Sequence, residues 1–276
     1  MPEEEVVVEK EALEAQEARY LYCIINSSAT SDFGDMGIED SKVYTIPCKD
    51  IAAVVHKCAP KPYKSKDENL VKEWILAHQY IIDEAMKKFG TPIPFTFDTI
   101  IKGDDDKVKE WLAEDYPTLK AKLEKVKDKA EYTVQIFCEP NIILKEIEAQ
   151  NEALKKLKEE IKTKPKGIAY MLSQKLERMQ KEELIKLENN YVKDFYEQLK
   201  SLVDECRAEP TNKPVPEKWK AQKLILNLAC LVHKDKVERL GEELGKINKT
   251  QKFKVRFTGP WAPFSFVGKE LGGKKT

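Results

Sequence analysis

Three histidines, His56, His78 and His233, supply every imidazole base in this 276-residue chain, and each falls in a different predicted element. Nucleophilic catalysis needs a base within hydrogen-bond reach of a nucleophile and a third group that orients the base. The sequence does not indicate a serine or cysteine that pairs with any of these histidines. The sequence therefore predicts no catalytic dyad or triad. His78 lies on or beside the apolar stripe of a predicted helix, so we expect a hydrogen-bonded residue at the edge of the core.

Possible metal ligands have simpler interpretations. Cys48, His56 and Cys58 do not match a usual zinc spacing. The acidic run Asp104-Asp105-Asp106 could hold a hard cation, but it precedes a predicted helix, where carboxylates cap free N–H groups. The glycines form neither a Walker loop nor a dinucleotide fingerprint. We therefore expect no metal and no other cofactor.

Charge and apolar content restrict the class of protein. Lysine plus arginine equal aspartate plus glutamate at 48 each, so no net field attracts nucleic acid or an anionic membrane. The longest apolar run, residues 224–232, is too short to span a bilayer. The first residues lack the features of a signal peptide, so we expect a cytoplasmic protein with reduced cysteines. Cys23, Cys138 and Cys230 lie in strand-like runs and are expected in the core.

The pattern of elements in the first half predicts an α+β domain. Gly90 stands where a helix C-terminal cap belongs, and Pro47 is expected to interrupt a strand. The alternation β, β, α, β, α, β fits a small antiparallel sheet with helices on one face. The predicted strands are 20–25, the two segments 43–46 and 51–55 interrupted by Pro47, 93–97 and 132–137. The predicted helices are 67–89 and a helical sequence from 104 to 126 that Pro117 restarts.

The second half is predicted to begin with long helices. Apolar stripes indicate one amphipathic helix over 143–161 and then a long helix, or two in series, over 168–202. A strand at 223–232, a helix at 235–247 and a strand at 252–258 form a βαβ unit in a small sheet. The resulting organisation is a flexible extension at 1–18, an α+β domain at 19–139, a helical arm with an α+β domain at 140–268, and a flexible tail at 269–276.

The stretch after the last strand combines three aromatic rings with two prolines. It reads Gly-Pro-Trp-Ala-Pro-Phe-Ser-Phe at residues 259–266. Each proline fixes its own φ and lacks a backbone donor, so we expect a stiff, extended strip that leaves the sheet and presents its rings for docking. The alternative is that any one of these rings is simply part of the core.

The preceding strand does not favour RNA binding. Its basic residues Lys252, Lys254 and Arg256 alternate with Phe253, Val255 and Phe257. Alternation places the bases and the aromatics on opposite faces, as in a strand with one solvated side. RNA recognition on a sheet instead needs exposed aromatics among basic residues.

Two motifs resemble the gas vesicle protein F/L family. Residues 91–99, Thr-Pro-Ile-Pro-Phe-Thr-Phe-Asp-Thr, resemble its Pro-x-x-Phe-Gly-Thr strand, and residues 259–266 resemble its Gly-Pro-Trp-Pro-Pro-Tyr-Ser-Phe ending. The resemblance spans about residues 19–268. Asp98 stands where the family commonly has glycine, which makes a positive φ less comfortable there. Ala262 and Phe264 replace the usual proline and tyrosine.

The resemblance implies a fold and a function. It implies a ferredoxin-like N-terminal domain, an α+β C-terminal domain, and a non-enzymatic accessory or minor structural protein of gas vesicle assembly. The implied partners are the small hydrophobic shell protein and other gas vesicle proteins, without nucleic acid or membrane. The residues expected to bind a partner are Pro92, Pro94, Phe95, Phe97, Gly259, Pro260, Trp261, Pro263, Phe264 and Phe266.

Other functions remain open on a ferredoxin-like scaffold, which hosts many unrelated activities. A pocket with convergent polar groups near His56 or His78 would favour an enzyme. Exposed aromatics on a basic sheet face would favour an RNA-binding module.

Overall fold

The computed structural model of this protein describes residues 17–212, 217–219 and 222–267, and its contacts divide the chain into two units. Unit 1 comprises the chain up to Glu131 together with the chain from Pro260, and unit 2 comprises Tyr132–Gly259. The predicted domains at 19–139 and 140–268 differ from these units at two places: residues 132–139 group with unit 2, and the segment after Gly259 groups with unit 1. The tail at 269–276, and all but two residues of the extension at 1–18, lie outside the described residues.

Unit 1 is built on a six-stranded sheet in which β1 pairs with β4, β5 and β6, and β3 pairs with β2 and β4, all antiparallel. The strand order is β2-β3-β4-β1-β5, and β6 also pairs with β1. A bulge between Leu21 and Cys23 shifts the register of the central pair. The strands are β1 (Ala18–Ile25), β2 (Asp32–Gly34), β3 (Val43–Cys48), β4 (Ile51–Cys58), β5 (Ile93–Pro94) and β6 (Ile100–Lys102).

Three helices of unit 1 follow their predicted signals: α1 (Glu68–Phe89), α2 (Asp105–Glu114) and α3 (Tyr116–Val126). Asp67 caps α1 by accepting a hydrogen bond from the Asn69 N–H, and Gly90 ends it with a φ of 82°. Glycine adopts this left-handed conformation without steric cost. The predicted helix at 67–89 is therefore confirmed.

Helices cover both faces of this sheet. Helix α1 packs on the face of β1 that carries Tyr20. Asp105, at the start of α2, binds Arg19 and Tyr44, whose side chains point to the opposite face because successive strand residues alternate. All of β1 and most of β4 are buried as a result. The α+β class is confirmed. The prediction placed helices on one face of this sheet, whereas the structure has helices on both faces.

Some predicted strand limits in unit 1 are wrong. Pro47 does not interrupt β3. Cys48 and Ile51 are the hydrogen-bonded pair that closes a two-residue turn. Because hydrogen-bonded and non-hydrogen-bonded pairs alternate, the next pair, Pro47 and Ala52, needs no backbone hydrogen bond between β3 and β4. The N atom of Pro47 therefore faces away from β4, and the lack of an N–H group costs no hydrogen bond between β3 and β4. The strand predicted at 93–97 ends at Pro94, and β6 was not predicted.

Unit 2 consists of helices and a four-stranded sheet with the order β10-β7-β9-β8. Strand β7 lies between β9 and β10, so α7 connects two strands that are not neighbours in the sheet. Its elements, two of which extend into unit 1, are β7 (Lys129–Cys138), α4 (Pro140–Gln150), α5 (Glu152–Thr163), α6 (Lys166–Lys200), β8 (Glu205–Ala208), β9 (Lys223–His233), α7 (Val237–Asn248) and β10 (Phe253–Trp261).

The helical part of unit 2 differs from the prediction at one point. The single helix predicted over 143–161 is two helices, because Asn151 adopts an extended conformation with φ −97° and ψ 102°. Its side chain accepts hydrogen bonds from the N–H groups of Ala153 and Leu154, which starts α5. The stripe over 168–202 is one continuous 35-residue helix. Strand β8 was not predicted.

Among the described helices, none combines the length and the apolar character that crossing a bilayer requires.

Candidate functional site

Both histidines of unit 1 belong to a buried network of aromatic hydroxyls. The Nδ1 atom of His56 lies 2.7 Å from the Tyr22 hydroxyl, and its Nε2 lies 3.0 Å from the Tyr63 hydroxyl. The Nδ1 of His78 lies 2.8 Å from the Tyr20 hydroxyl, and its Nε2 lies 3.1 Å from a backbone carbonyl oxygen. All four ring nitrogens therefore have protein partners. The prediction that His78 is a satisfied residue is confirmed.

Burial keeps these imidazoles neutral. Desolvation lowers the pKa of His56 to about 4, with the neighbouring His78 as a smaller cause, and it lowers the pKa of His78 to about 4. A general base that acts near neutral pH needs a pKa close to that pH and an accessible nitrogen. Neither imidazole meets these conditions, so the network stabilises the core of unit 1.

The acidic run at the start of α2 acts in capping and in packing. Asp104 accepts hydrogen bonds from the N–H groups of Asp106 and Lys107, as predicted. Asp105 accepts from Arg19 Nε at 2.5 Å and from the Tyr44 hydroxyl at 2.7 Å. Within the part of the chain that the structure describes, no group of three His, Cys, Asp or Glu side chains is placed to hold a metal ion.

The segment at 91–99 is mostly interior. Pro94 pairs with Cys23 of β1, and the Phe95 N–H donates to the Tyr22 carbonyl oxygen at 2.9 Å. The Phe95 ring packs against Trp111, with 5.9 Å between the ring centroids. Pro92, Pro94 and Phe95 are buried. Their side chains are therefore inaccessible to a partner.

Phe97 is half-buried and extends the aromatic network of unit 1. Its ring lies 6.2 Å from Tyr20 and 5.9 Å from His78, measured between centroids. The next residue, Asp98, has a φ of 70°. Its N–H donates to the Tyr20 hydroxyl, and its Oδ1 accepts from the Tyr63 N–H at 2.9 Å. These bonds hold a left-handed conformation in which glycine is the usual residue.

The terminal strip leaves the sheet later than expected. Strand β10 continues through Gly259, Pro260 and Trp261 rather than ending at Thr258. Strand β10 lies at the edge of its sheet, where a proline need not supply a ladder donor. Gly259 has a φ of 132°, a conformation that residues with a Cβ rarely adopt. These three residues are exposed.

After Trp261 the chain is anchored in unit 1. Ala262 is fully buried in the core cluster of Tyr20 and Ile81, and Phe264 packs against that cluster. The N–H and hydroxyl of Ser265 donate to the Glu131 carboxylate at 2.8 and 2.7 Å.

The rings of the strip are therefore not presented together. Pro263 and Phe266 are buried, Phe264 is half-buried, and Trp261 is 42% exposed. Of the ten residues predicted to bind a partner, the structure exposes only Gly259, Pro260 and Trp261.

Comparison with known proteins identifies the family. A family model described as "Gas vesicle synthesis protein GvpL/GvpF" matches residues 18–268. This chain belongs to the GvpL/GvpF family. It is similar to gas vesicle protein L1 of Halobacterium salinarum, with 28% identity over 96% of both chains, and to gas vesicle protein L of Haloferax mediterranei, with 27% identity over 91% of this chain and 88% of that one.

Solved structures of the GvpL/GvpF family share the fold. The crystal structure of GvpF from Anabaena sp. PCC7120 matches with a TM-score of 0.70 and 19% identity, over 91% of this chain and 98% of that chain. GvpF from Microcystis aeruginosa matches with a TM-score of 0.61 and 17% identity, over 91% and 99%. The resemblance found in the two sequence motifs is confirmed, and gas vesicle formation is the process in which this family member takes part.

This GvpL/GvpF chain exposes apolar side chains that the sequence analysis missed. On α1, Ile75, Leu76 and Tyr80 face away from the core, and Leu76 is 68% exposed. A helical projection could have found them, because they lie outside the stripe that contains Trp74 and Ile81. On α6 of unit 2, the exposed apolar residues are Ile168, Tyr170, Met171 and Ile185.

Phe253 and Phe257 of β10 pack against aromatic rings within unit 2. The ring of Phe253 lies 5.0 Å from Tyr191 and 4.9 Å from Phe195, and Phe257 stacks on Tyr132 at 5.1 Å. The predicted separation of bases and aromatics on this strand is confirmed, since Lys254 is exposed while Phe253 is buried. These rings are not arranged as a stacking platform for RNA.

Proposed function

We propose that this chain is a non-enzymatic accessory or minor structural protein of gas vesicle assembly that binds the small hydrophobic shell protein, which it shields or nucleates. The observation that carries the proposal is the exposure of Trp261, whose ring remains accessible beside an anchored segment. Exposed Leu76 on α1 adds a second large apolar side chain to unit 1. The relatives named above, which are gas vesicle proteins, support the process to which this binding belongs.

The physical need for such a protein follows from the chemistry of a gas-filled shell. A shell that excludes liquid water needs an apolar inner face, and unassembled subunits that carry this face will aggregate unless it is covered. Covering about 400 Å² of apolar surface contributes roughly 10 kcal/mol at about 25 cal/mol per Å². Association entropy offsets much of this, so binding can be reversible.

A role without catalysis is supported by how the candidate groups are used. The imidazoles of His56 and His78 are neutral, buried and hydrogen-bonded on both ring nitrogens. Asp104 caps a helix, and Asp105 binds Arg19 and Tyr44. Each group therefore has a structural task that accounts for its position. Other gas vesicle proteins are further partners in this proposal, and the cytoplasm and the gas vesicle are its proposed locations.

Co-expression with the shell protein tests the proposal. We expect this chain to raise the amount of shell protein in the soluble fraction. Replacing Leu76 and Trp261 together by serine should weaken the binding about tenfold, because each change removes exposed apolar surface. The matched control replaces Ile168 and Met171, two exposed apolar residues of unit 2, by serine.

Two results would contradict the binding function or the assignment of the binding surface to unit 1. Equal amounts of soluble shell protein and equal vesicle yield with and without this chain would contradict the binding function. A loss of binding in the Ile168 and Met171 variant that equals or exceeds the loss in the Leu76 and Trp261 variant would contradict the assignment to unit 1.

A further inference from the structure

Unit 1 contains a cavity of about 370 Å³ where β4 ends and α1 begins. Ser41, Cys58, Tyr63 and Trp74 contribute to its lining. Small-molecule sites have volumes of about 300 to 1,000 Å³ and combine apolar or aromatic walls with a few polar groups. The cavity lies within this range of volumes, and its wall combines the aromatic rings of Tyr63 and Trp74 with several charged groups. Neither Trp261 nor Leu76 lines it.

Trp74, one of the side chains that line this cavity, carries a hydrogen-bond donor that has no acceptor among the described residues. The residue is only 6% exposed, and its Nε1 atom is buried without an acceptor among the described residues. Its ring contacts Tyr63 edge to face, with 5.3 Å between the centroids. A buried donor without an acceptor destabilises the folded state, so such groups are rare in native proteins. An acceptor on a bound ligand would remove this cost.

The charged groups around the cavity favour an anion. Lys57, Lys61 and Lys64 line it, together with one carboxylate, that of Glu39. Lys57 forms an ion pair with Glu17. Lys61 and Lys64 are exposed and have no ion pair within the described ranges. Two ammonium groups at the wall are therefore available to a negatively charged ligand.

We propose that this cavity binds a carboxylate joined to an aromatic or other apolar group. The carboxylate accepts a hydrogen bond from Trp74 Nε1 and lies near Lys61 and Lys64, while the apolar part packs on Tyr63. The binding is non-covalent, since burial raises the pKa of Cys58 to about 11 and keeps it a thiol at neutral pH. Small organic acids and peptide C-termini both present this chemistry.

An NMR titration of the ¹⁵N-labelled full-length chain tests the site. The probes are benzoate and N-acetylphenylalanine, each compared with its primary amide, which keeps an acceptor but loses the charge. The Trp74→Phe variant identifies the Trp74 indole resonance by its disappearance. We expect a saturable downfield shift of this resonance with at least one of the acids, and a preference between the two acids indicates the source of the carboxylate.

Variants of the lysines separate a built site from general anion binding. Replacing Lys61 and Lys64 by glutamine should weaken acid binding by about five- to tenfold. Replacing Lys66 and Lys72, which do not line the cavity, should leave it unchanged. The proposal is overturned if no saturable Trp74 shift occurs with either acid, if the amides bind as tightly as the acids, or if both lysine variants bind alike. These outcomes are independent of shell-protein binding.

Discussion

His56 and His78 show that a buried imidazole in this protein has a packing role. The Tyr20 ring stacks on His56 with 4.9 Å between the centroids, and its hydroxyl bonds to His78. The hydroxyls of Tyr22 and Tyr63 complete the network. Hydrogen-bonded polar groups of this kind specify one arrangement of side chains in a core. The network therefore makes the core of unit 1 sensitive to protonation.

The stability of unit 1 should depend on pH through His56 and His78. The histidine pKa values fall from 6.5 to about 4 on folding, so the unfolded chain binds more protons than the folded chain between these values. The stability that the neutral forms of His56 and His78 contribute is fully present above about pH 6.5, and it decreases as the pH falls towards 4. We expect each histidine to reduce the free energy of unfolding by about 2 kcal/mol between pH 7 and pH 5.

Urea unfolding at the two pH values measures this effect. The His78→Gln variant should lose about half of the pH dependence that the two buried histidines contribute. A wild-type free energy of unfolding that is equal at pH 7 and pH 5 would show that the network is not protonation-sensitive.

Asp98 adopts a backbone conformation that favours glycine. Its φ of 70° is unfavourable for alanine and neutral for glycine, and its carboxylate accepts from the Tyr63 N–H. Both Asp98→Ala and Asp98→Gly lose this bond, but only alanine adds steric strain. We expect Asp98→Ala to be less stable than Asp98→Gly by about 1 kcal/mol. Denaturant unfolding measures the difference, and equal stability of the two variants would count against the left-handed conformation.

At the scale of elements, caps and edges explain where helices and strands begin and end. Asp67 and Asn151 start helices because their side chains accept hydrogen bonds from backbone N–H groups. Pro260 is tolerated because β10 is an edge strand. The terminal segment depends instead on distant partners. Ser265 bonds to Glu131, 134 residues away, and the Phe266 carbonyl accepts from Lys125 Nζ at 3.4 Å.

The Glu131 carboxylate should hold the terminal segment in place. Glu131→Ala removes the acceptor for two hydrogen bonds, each worth about 1.5 to 3 kcal/mol because the acceptor is charged. We expect the segment after Trp261 to open locally and to be cleaved faster by a protease in the folded protein. Limited proteolysis with mass spectrometry measures the rate. Glu114→Ala, at an exposed position on α2, is the control, and equal cleavage of the two variants would refute the anchoring role.

At the scale of the whole molecule, the two units bury their cores separately and expose different apolar side chains. Unit 1 exposes Trp261 and Leu76, and unit 2 exposes Ile168 and Met171. Unit 2 also holds a buried charge, since Glu188 pairs with Lys223 at 2.5 Å. The comparison of the two double variants in the co-expression experiment therefore asks which unit covers the shell protein, with each variant confined to one unit.

Local patterns in the sequence determined most of the elements and the family. The spacing of Trp74, Ile81 and Ala85 predicted α1, because a helical period of 3.6 residues brings these side chains to one face. Asp104 and Gly90 marked helix ends through groups close to them in the chain. The motifs at 91–99 and 259–266 were sufficient to identify the gas vesicle family.

Only the tertiary structure decided which predicted site residues are accessible. Trp261 and Phe266 have similar local surroundings in sequence, yet one is 42% exposed and the other 3%. The difference depends on contacts with Lys125, Glu131 and the core around Tyr20, which are far away in the chain. The cavity at Trp74 has the same origin, since residues from three segments line it. Burial is a sum over such non-local contacts, and local periodicity carries no information about them.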